Sequence, residues 1–465
     1  MKRGTFYLVL AWSVQVVAGY GLNIWLGRTL GVAHYGTYGV VMSILLWIEI
    51  GAINGLPMAI QKFVSAGESM ARAILIRSIQ IQMVFVGLLF LASFAAAPWI
   101  GGLLRDDSVG FYLKVAVWDV WVYGFFFMLA SLQNGLRRFG RQALMVGFYA
   151  VCKLGLVILL VSLTGNVREA FLANIGASVA GLVMGLIFLR QARLQRESGK
   201  FEGRILIRYA APVAVYSLVI NLLQNVDLWF VKYYLEKIDS GYYVAASTIA
   251  RVPYYIFFGL SATVLPLLSK AIAGNDENRI RKTVKTAVRF LVILAAPVCV
   301  LAMAYSHQVV TLLYSTSYDP AGDVLGILIW GMAFLALFSL LTTMINADNR
   351  PVAALGVTAV ILVLDVVLNR LLLPRLELRG AALATTLSLL AGSVLAALMV
   401  IRRFRAFVAT RTVARVALAS GSVYGLARLI PADGVMVIPV GAGLFIIYGL
   451  FLMLLGEIRR EELIR

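Results

Sequence analysis

Eight ionisable side chains stand inside or at the ends of long apolar runs: Glu49, Asp119, Asp227 and Asp365 on the acidic side, Lys153, Arg251, Arg28 and Arg370 on the basic side. A charge in such a run is costly and by default marks a functional position. A carboxylate there can exchange a basic partner for a proton, a cation or a phosphate-bearing ligand. Arg grips a phosphate with two parallel hydrogen bonds, whereas Lys acts as a point charge. Asn221, Gln224 and Asn225 lead into Asp227 and make that stretch the most polar of the apolar runs. Amides and carboxylates in this density suit a ligand rich in hydroxyls.

The elements that position these residues follow from composition. The chain has 465 residues, of which 61% are hydrophobic and 14% charged, and a mean hydropathy of +0.90. That is too little polar surface for a water-soluble globule of this length. Apolar windows of about 20 residues, the length that crosses a bilayer as a helix, recur about fourteen times between Phe6 and Leu455. They include Gly36 to Ile60, Tyr209 to Val231 and Gly241 to Leu268 as the second, seventh and eighth. The runs are too long for strands and lack a period of two, so the spacing predicts an all-α polytopic membrane protein.

Orientation comes from the 41 Lys and Arg. One set of alternate connectors carries about three times as many as the other, which places both termini on the cytoplasmic side; the membrane expected is the inner membrane of a prokaryote. The net charge of +19 then reads as orientation plus contact with anionic lipid headgroups. Nucleic acid is not an expected partner, since the basic residues are divided among many short connectors. Cys152 and Cys299 lie in separate runs, and His34 and His307 are too few for a metal cluster.

Counting 1.5 Å per helical residue places Glu49 and Lys153 near mid-depth, close enough to pair. Asp227 and Arg251 form a second expected pair on consecutive helices. Such pairs either hold a bundle together or switch partners during a cycle. Asp365 and Asn369, four apart, share one helical face, as a polar cleft lining or as a helix–helix seam. Arg370 either binds ligand or reaches to headgroups. Trp118, Trp121 and Tyr123 either stack on sugar faces or anchor the interface. Pro57, Pro253, Pro266 and Pro297 allow bending or set static kinks.

The basic connector after the sixth run suggests four parts: a six-helix lobe over 1–195, a linker over 196–208, a second six-helix lobe over 209–405, and two further helices with a cytoplasmic tail over 406–465. A weak repeat supports the two halves, GTYGVVMSI from Gly36 aligning with GYYVAASTI from Gly241. Connectors are short, leaving no room for a catalytic domain, and no G-x-x-x-x-G-K-[ST] phosphate loop occurs. The chain therefore reads as a transporter rather than an enzyme, without a cofactor, coupled to a H+ or Na+ gradient or to the membrane potential.

Three segments carry a family resemblance: LGRTLGVAHYGTYGVVMSI from Leu26, NVDLWFVKYYLEKIDSGYYVAASTIARVPYY from Asn225, and LNRLLLPRLELRGAALATTLS from Leu368. They resemble the polysaccharide-transporter branch of the multidrug/oligosaccharidyl-lipid/polysaccharide exporter superfamily. The resemblance implies two six-helix lobes in a V shape, alternating access, and movement of an isoprenoid (pyro)phosphate-linked oligosaccharide from the inner to the outer leaflet for cell-surface polysaccharide or envelope biosynthesis. A glycan polymerase or another envelope-assembly protein would be a partner. On that expectation Arg28, Lys153, Arg251, Arg370, Asn221, Gln224 and Asn225 contact substrate, and Glu49, Asp119, Asp227 and Asp365 couple ions or partner the cations. The competing readings are a cation-coupled drug antiporter of the same superfamily and, more distantly, a membrane glycan polymerase.

Overall fold

The computed structural model describes residues 2–192, 194 and 201–457, and within them all side chains except those of residues 2–5, 258 and 262. Residues 196–200 of the expected linker and the expected tail beyond 457 lie outside the described residues. Among the described residues the chain is helical without a strand, as a bilayer requires of a segment that must satisfy its own backbone.

In chain order the helices are α1 (Lys2–Leu30), α2 (Val32–Asn54), α3 (Leu56–Ala66), α4 (Ala71–Leu103), α5 (Asp107–Ala116), α6 (Trp118–Gly135), α7 (Phe139–Thr164), α8 (Val167–Arg190) and α9 (Gly203–Leu223). There follow α10 (Val226–Tyr234), α11 (Lys237–Ala250), α12 (Val252–Ala273), α13 (Glu277–Ala304), α14 (Ser306–Leu313), α15 (Ala321–Ala347), α16 (Pro351–Phe404), α17 (Thr410–Leu429) and α18 (Val437–Leu454). Among the described residues twelve segments are long and apolar enough to cross a membrane. One of them, α16, is two helices meeting at Glu377. A further helix of span length, α17, carries Arg411, Arg415 and Arg428 and is less apolar.

Several runs that read as single spans are broken. The second divides at Gly55, with Pro57 at the start of α3, and the eighth divides at Arg251, with Pro253 at the start of α12. Proline fits the first turn of a helix because the N–H it lacks has no partner there. The seventh run is not one helix over 209–231 but α9 and α10, separated at Gln224 and Asn225. Asn225 Nδ2 donates to Asn221 O at 2.9 Å, so an amide side chain satisfies a carbonyl at the end of α9.

Two compact units result. The first contains the chain through Asn225 together with Glu236–Gly241; the second contains Val226–Leu235 and Tyr242 onward. Helix α9, much of which falls in the part read as the second lobe, packs against α2, α3 and α4 of the first unit. Lys237 Nζ lies 2.8 Å from Asp106 Oδ1, which helps hold Glu236–Gly241 in that unit. The two glycines that open the weak repeat meet backbone to backbone: a Cβ on Gly36 would sit 2.5 Å from Gly241 N.

Phe126, Leu129, Met145 and Tyr149 lie in the core of the first unit. Gly181 and Gly185 of α8 admit Phe126 and Leu129 so closely that a Cβ would meet either side chain at 3.0 Å or less. In the second unit the GAALATTLS string forms a small-residue face on α16. Gly331 of α15 leaves room for Thr386, and Ser393 Oγ donates to Phe334 O at 2.8 Å. Small residues and hydroxyls at such seams let helices approach where no water drives them together. Large apolar side chains face outward, among them Leu88, Leu91, Trp99 and Val363.

The last two spans are docked on α13. Tyr448 OH donates to Ile293 O at 2.9 Å and Tyr305 OH to Ala427 O at 3.0 Å. Glu457, just past α18, accepts from Arg289 Nε at 2.9 Å, Thr412 Oγ1 at 2.8 Å and Arg415 at 3.1 Å. Burial alone would push the Glu457 carboxyl up, yet the hydrogen bonds from Thr412, Arg289 and Arg415 outweigh it and hold the group below the usual carboxylate range. A depressed folded-state value stabilises the fold fully above the unfolded value of about 4.3, and that stabilisation disappears as pH falls through the folded value. The melting temperature of the purified protein is therefore expected to drop in acid. Glu457→Gln should lower it at neutral pH and flatten the acid dependence; an unchanged profile in that variant would assign the acid response to other groups.

Glu377 has φ 50° and ψ −134°, in the left-handed half of backbone space where a side chain is strained by about 1 to 3 kcal/mol. Glu377→Gly is expected to raise the melting temperature, because relief of strain outweighs the entropy that glycine adds to the unfolded chain. A lower melting temperature would show that the Glu377 side chain, not only its backbone, holds the turn.

Candidate functional site

Each unit contains its own buried polar cluster. In the first, Glu49 comes from α2, Asp119 from α6, Lys153 from α7, and Asn174 and Ser178 from α8. Glu49 and Asp119 are 3% and 1% exposed, while Lys153 is half-buried. Asn174 Nδ2 donates to Asp119 Oδ2, and Tyr149 OH donates to Asn174 Oδ1 at 3.4 Å. The two carboxyls interact with each other and with Lys153. Among the described residues Lys153 makes no direct ion pair with either and acts through space, with its Nζ 5.9 Å from the centre of the Tyr149 ring. The expected Glu49–Lys153 pair is thus part of a three-membered group. Glu49 Oε1, Asp119 Oδ1 and Ser178 Oγ are buried and make no hydrogen bond of good geometry, though Ser178 and Glu49 stand within reach of Asp119.

The second cluster gathers α10, α11 and both halves of α16. Asp227, at the start of α10, accepts from Tyr243 OH at 2.6 Å, Leu228 N at 2.8 Å and Thr385 Oγ1 at 3.2 Å. The break before α10 exposes the backbone N–H groups of a helix start, which is why an acid is stable there. Arg251, at the α11–α12 break, is in electrostatic contact with Asp227. Asp365 lies near Thr385, Ser388 and Asp227. Asn369 Nδ2 donates to Asp365 O at 3.0 Å and to Asp365 Oδ1 at 3.2 Å, so the stripe on α16 is bonded along its own helix. Asp365 Oδ2 and Asn369 Oδ1 are fully buried oxygens without a well-formed hydrogen bond, with Ser388 and Thr385 within reach of Asp365. A site rich in acceptors, with two carboxylates on different helices, is chemically suited to a small cation or a proton.

The other residues fall outside these clusters. Arg28 at the end of α1 and Arg370 on α16 are exposed. Asn221, Gln224 and Asn225 mark the α9–α10 break, Asn221 and Asn225 bonded to one another. The aromatic trio divides: Trp118 and Trp121 of α6 pack on Phe90 of α4 at 4.8 and 6.3 Å between ring centres, whereas Tyr123 stands 5.4 Å from Tyr149 beside the first cluster. His307 contacts Asp319 and Asp323 at 3.1 and 3.4 Å.

Asn174, Ser178, Tyr149, Tyr243, Thr385 and Ser388 were not singled out by sequence. A usable signal was present for four of them: Asn174 with Ser178 and Thr385 with Ser388 are polar pairs at helical spacing inside apolar runs. The two tyrosines carry no such mark, being ordinary residues of an apolar helix until their hydroxyls find a partner.

Bundles of membrane-spanning helices with apolar exteriors and buried, partly unsatisfied charge clusters define a polytopic membrane transporter. The family model described as lipid II flippase MurJ matches residues 51–440, and the chain belongs to that family. A probable low-salt glycan biosynthesis flippase, Agl15 of Haloferax volcanii, is 22% identical over 374 residues, covering 79% of this chain and 76% of the relative. A probable multidrug resistance protein NorM of Bradyrhizobium diazoefficiens is 31% identical over 219 residues, covering 45% and 46%. The fold matches a solved structure of lipid II flippase MurJ in an inward closed conformation, with a TM-score of 0.80 and 15% identity over 98% of this chain and 99% of that one.

Proposed function

We propose that the protein flips an isoprenoid (pyro)phosphate-linked oligosaccharide from the inner to the outer leaflet of the cytoplasmic membrane by alternating access, in cell-surface polysaccharide or envelope biosynthesis. The observation that carries this reading is the family match over most of the chain. Physical chemistry supports it: sugar hydroxyls and a phosphate stripped of water without partners cost several kcal/mol or more each. A polar path between helices removes that barrier while the isoprenoid tail remains in lipid.

In this reading Arg251 and Arg28 engage phosphate, with Lys153 and Arg370 as further cations, and Asn221, Gln224 and Asn225 receive hydroxyls. Asp227 and Asp365, with Asn369, take the coupling cation, H+ or Na+. Glycan polymerases or other envelope-assembly proteins are the expected partners, and basic connectors meet anionic lipids.

The second reading, a cation-coupled small-molecule antiporter, is favoured by the similarity to the NorM relative. Sealed vesicles containing the purified chain and a labelled lipid-linked oligosaccharide separate the two. Transbilayer movement of the label without a longer glycan is expected. Lack of movement, together with cation-driven uptake of an organic dye, would favour the antiporter, and extension of the glycan would favour a polymerase.

A further inference from the structure

The first-unit cluster has a charge count that its hydrogen bonds do not balance. Two carboxylates, Glu49 and Asp119, face one ammonium, Lys153, in an interior from which the acids are almost wholly excluded from water. Asn174 supplies one donor to Asp119. Glu49 Oε1 and Asp119 Oδ1 receive no well-formed hydrogen bond, although Ser178 and Glu49 stand within hydrogen-bonding reach of Asp119. One uncompensated negative charge in a low-dielectric interior is unfavourable, and proteins relieve it by taking up a cation.

The geometry favours a proton over a metal ion. Lys153 already supplies a full positive charge and would repel a second. Asn174 turns its Nδ2 toward Asp119, while its oxygen accepts from Tyr149 OH at 3.4 Å, so the amide offers a donor where a metal would need an acceptor. The other titratable groups in electrostatic contact with the pair are the phenols of Tyr123 on α6 and Tyr149 on α7, with Tyr38 of α2 reaching Tyr149. Phenols are neutral near pH 7. Gln82 of α4, also neutral, is bonded to Ala52 O at 3.0 Å. Among the described residues α1, α3, α5, α8 and α9 bring no further titratable group into contact with the pair.

We propose that Glu49 and Asp119 share one exchangeable proton, a proton site in the first unit built from different residues than the Asp227–Asp365 cluster, with Lys153 balancing the carboxylate that remains. The site is independent of what the protein carries. Its stoichiometry is unusual in a testable way. Because either acid alone is balanced by Lys153, removing either one removes the whole bound proton rather than half of it. Removing Lys153 instead requires a second proton.

Infrared difference spectroscopy of the full chain in lipid nanodiscs reads this directly through the stretching band of protonated carboxyls at neutral pH. With Asp365→Asn as the common background to silence the second cluster, the band is expected in the parent and absent in both Glu49→Gln and Asp119→Asn. It should grow to about twice its intensity in Lys153→Met, a variant that tests the count even where an acid substitution fails to fold. A band that survives either acid substitution, that falls by half in each, or that is unchanged in Lys153→Met would overturn the proposal. The reading needs no substrate, so failure here leaves the flippase reading untouched.

Discussion

Asp227→Asn is expected to leave the protein folded and inserted but to abolish movement of a lipid-linked glycan in sealed vesicles. The amide keeps an oxygen for the donors on Tyr243 and Thr385, so the packing around the start of α10 survives. What is lost is the charge. A unit charge about 4 Å from a bound cation contributes about 4 kcal/mol at an effective dielectric constant near 20, roughly a thousandfold in affinity. A site weakened by that factor stays empty at ordinary cation concentrations. Initial rates of transbilayer movement, measured against a thermal melt at several Na+ concentrations and pH values, check both halves of the expectation. Transport at the parent rate would remove Asp227 from the coupling site.

The second large effect is expected from Arg251→Ala: insertion at normal levels and no glycan export. Arg251 stands at the break between α11 and α12, in electrostatic contact with Asp227. Alanine removes both the partner of that acid and the planar fork suited to a phosphate. Arg251→Lys keeps the charge without the fork and should restore only part of the rate. The double substitution Asp227→Asn with Arg251→Gln separates the roles. If the two side chains form only a structural pair, neutralising both leaves no buried charge exposed, and transport should return. A double variant that remains inactive while melting normally would show that the pair does more than hold the fold, through cation coupling by Asp227, substrate binding by Arg251, or both. Export by Arg251→Ala at the parent rate would exclude it from any site.

Much of this architecture is legible in the residues because a bilayer imposes so simple a rule. Length and apolarity announce the spans, and the same rule makes Glu49, Asp119, Lys153, Asp227 and Asp365 conspicuous. What periodicity could not show is where a long apolar run stops being one helix. The division at Gln224 and Asn225 was marked by polar residues, but polar residues inside a run equally mark a lined cavity, and only the backbone distinguishes the two. The junction at Glu377, by contrast, is legible, because Arg375, Glu377 and Arg379 interrupt the apolar sequence and separate two windows of span length. Pairing was legible only in part, since depth along a helix can be counted while rotation about its axis cannot. That is why Glu49 can be set level with Lys153 while Asp119, which interacts with both, receives no partner from the sequence. The hydroxyl partners were least visible, because Tyr243 and Thr385 become special only through what stands opposite.

The junction at Glu377 also bears on how the chain enters its membrane. Residues 351 to 404 run as two helices with almost nothing between them, and the turn bears Arg375, Glu377 and Arg379. The charged turn is costly inside lipid, so the two halves reach their final depth only when it stands at a membrane surface. Bringing that tip to the surface is one step shared by both halves. A synonymous slowing of translation between them, or an epitope spliced into the turn, is the kind of change that such an assembly step would not tolerate.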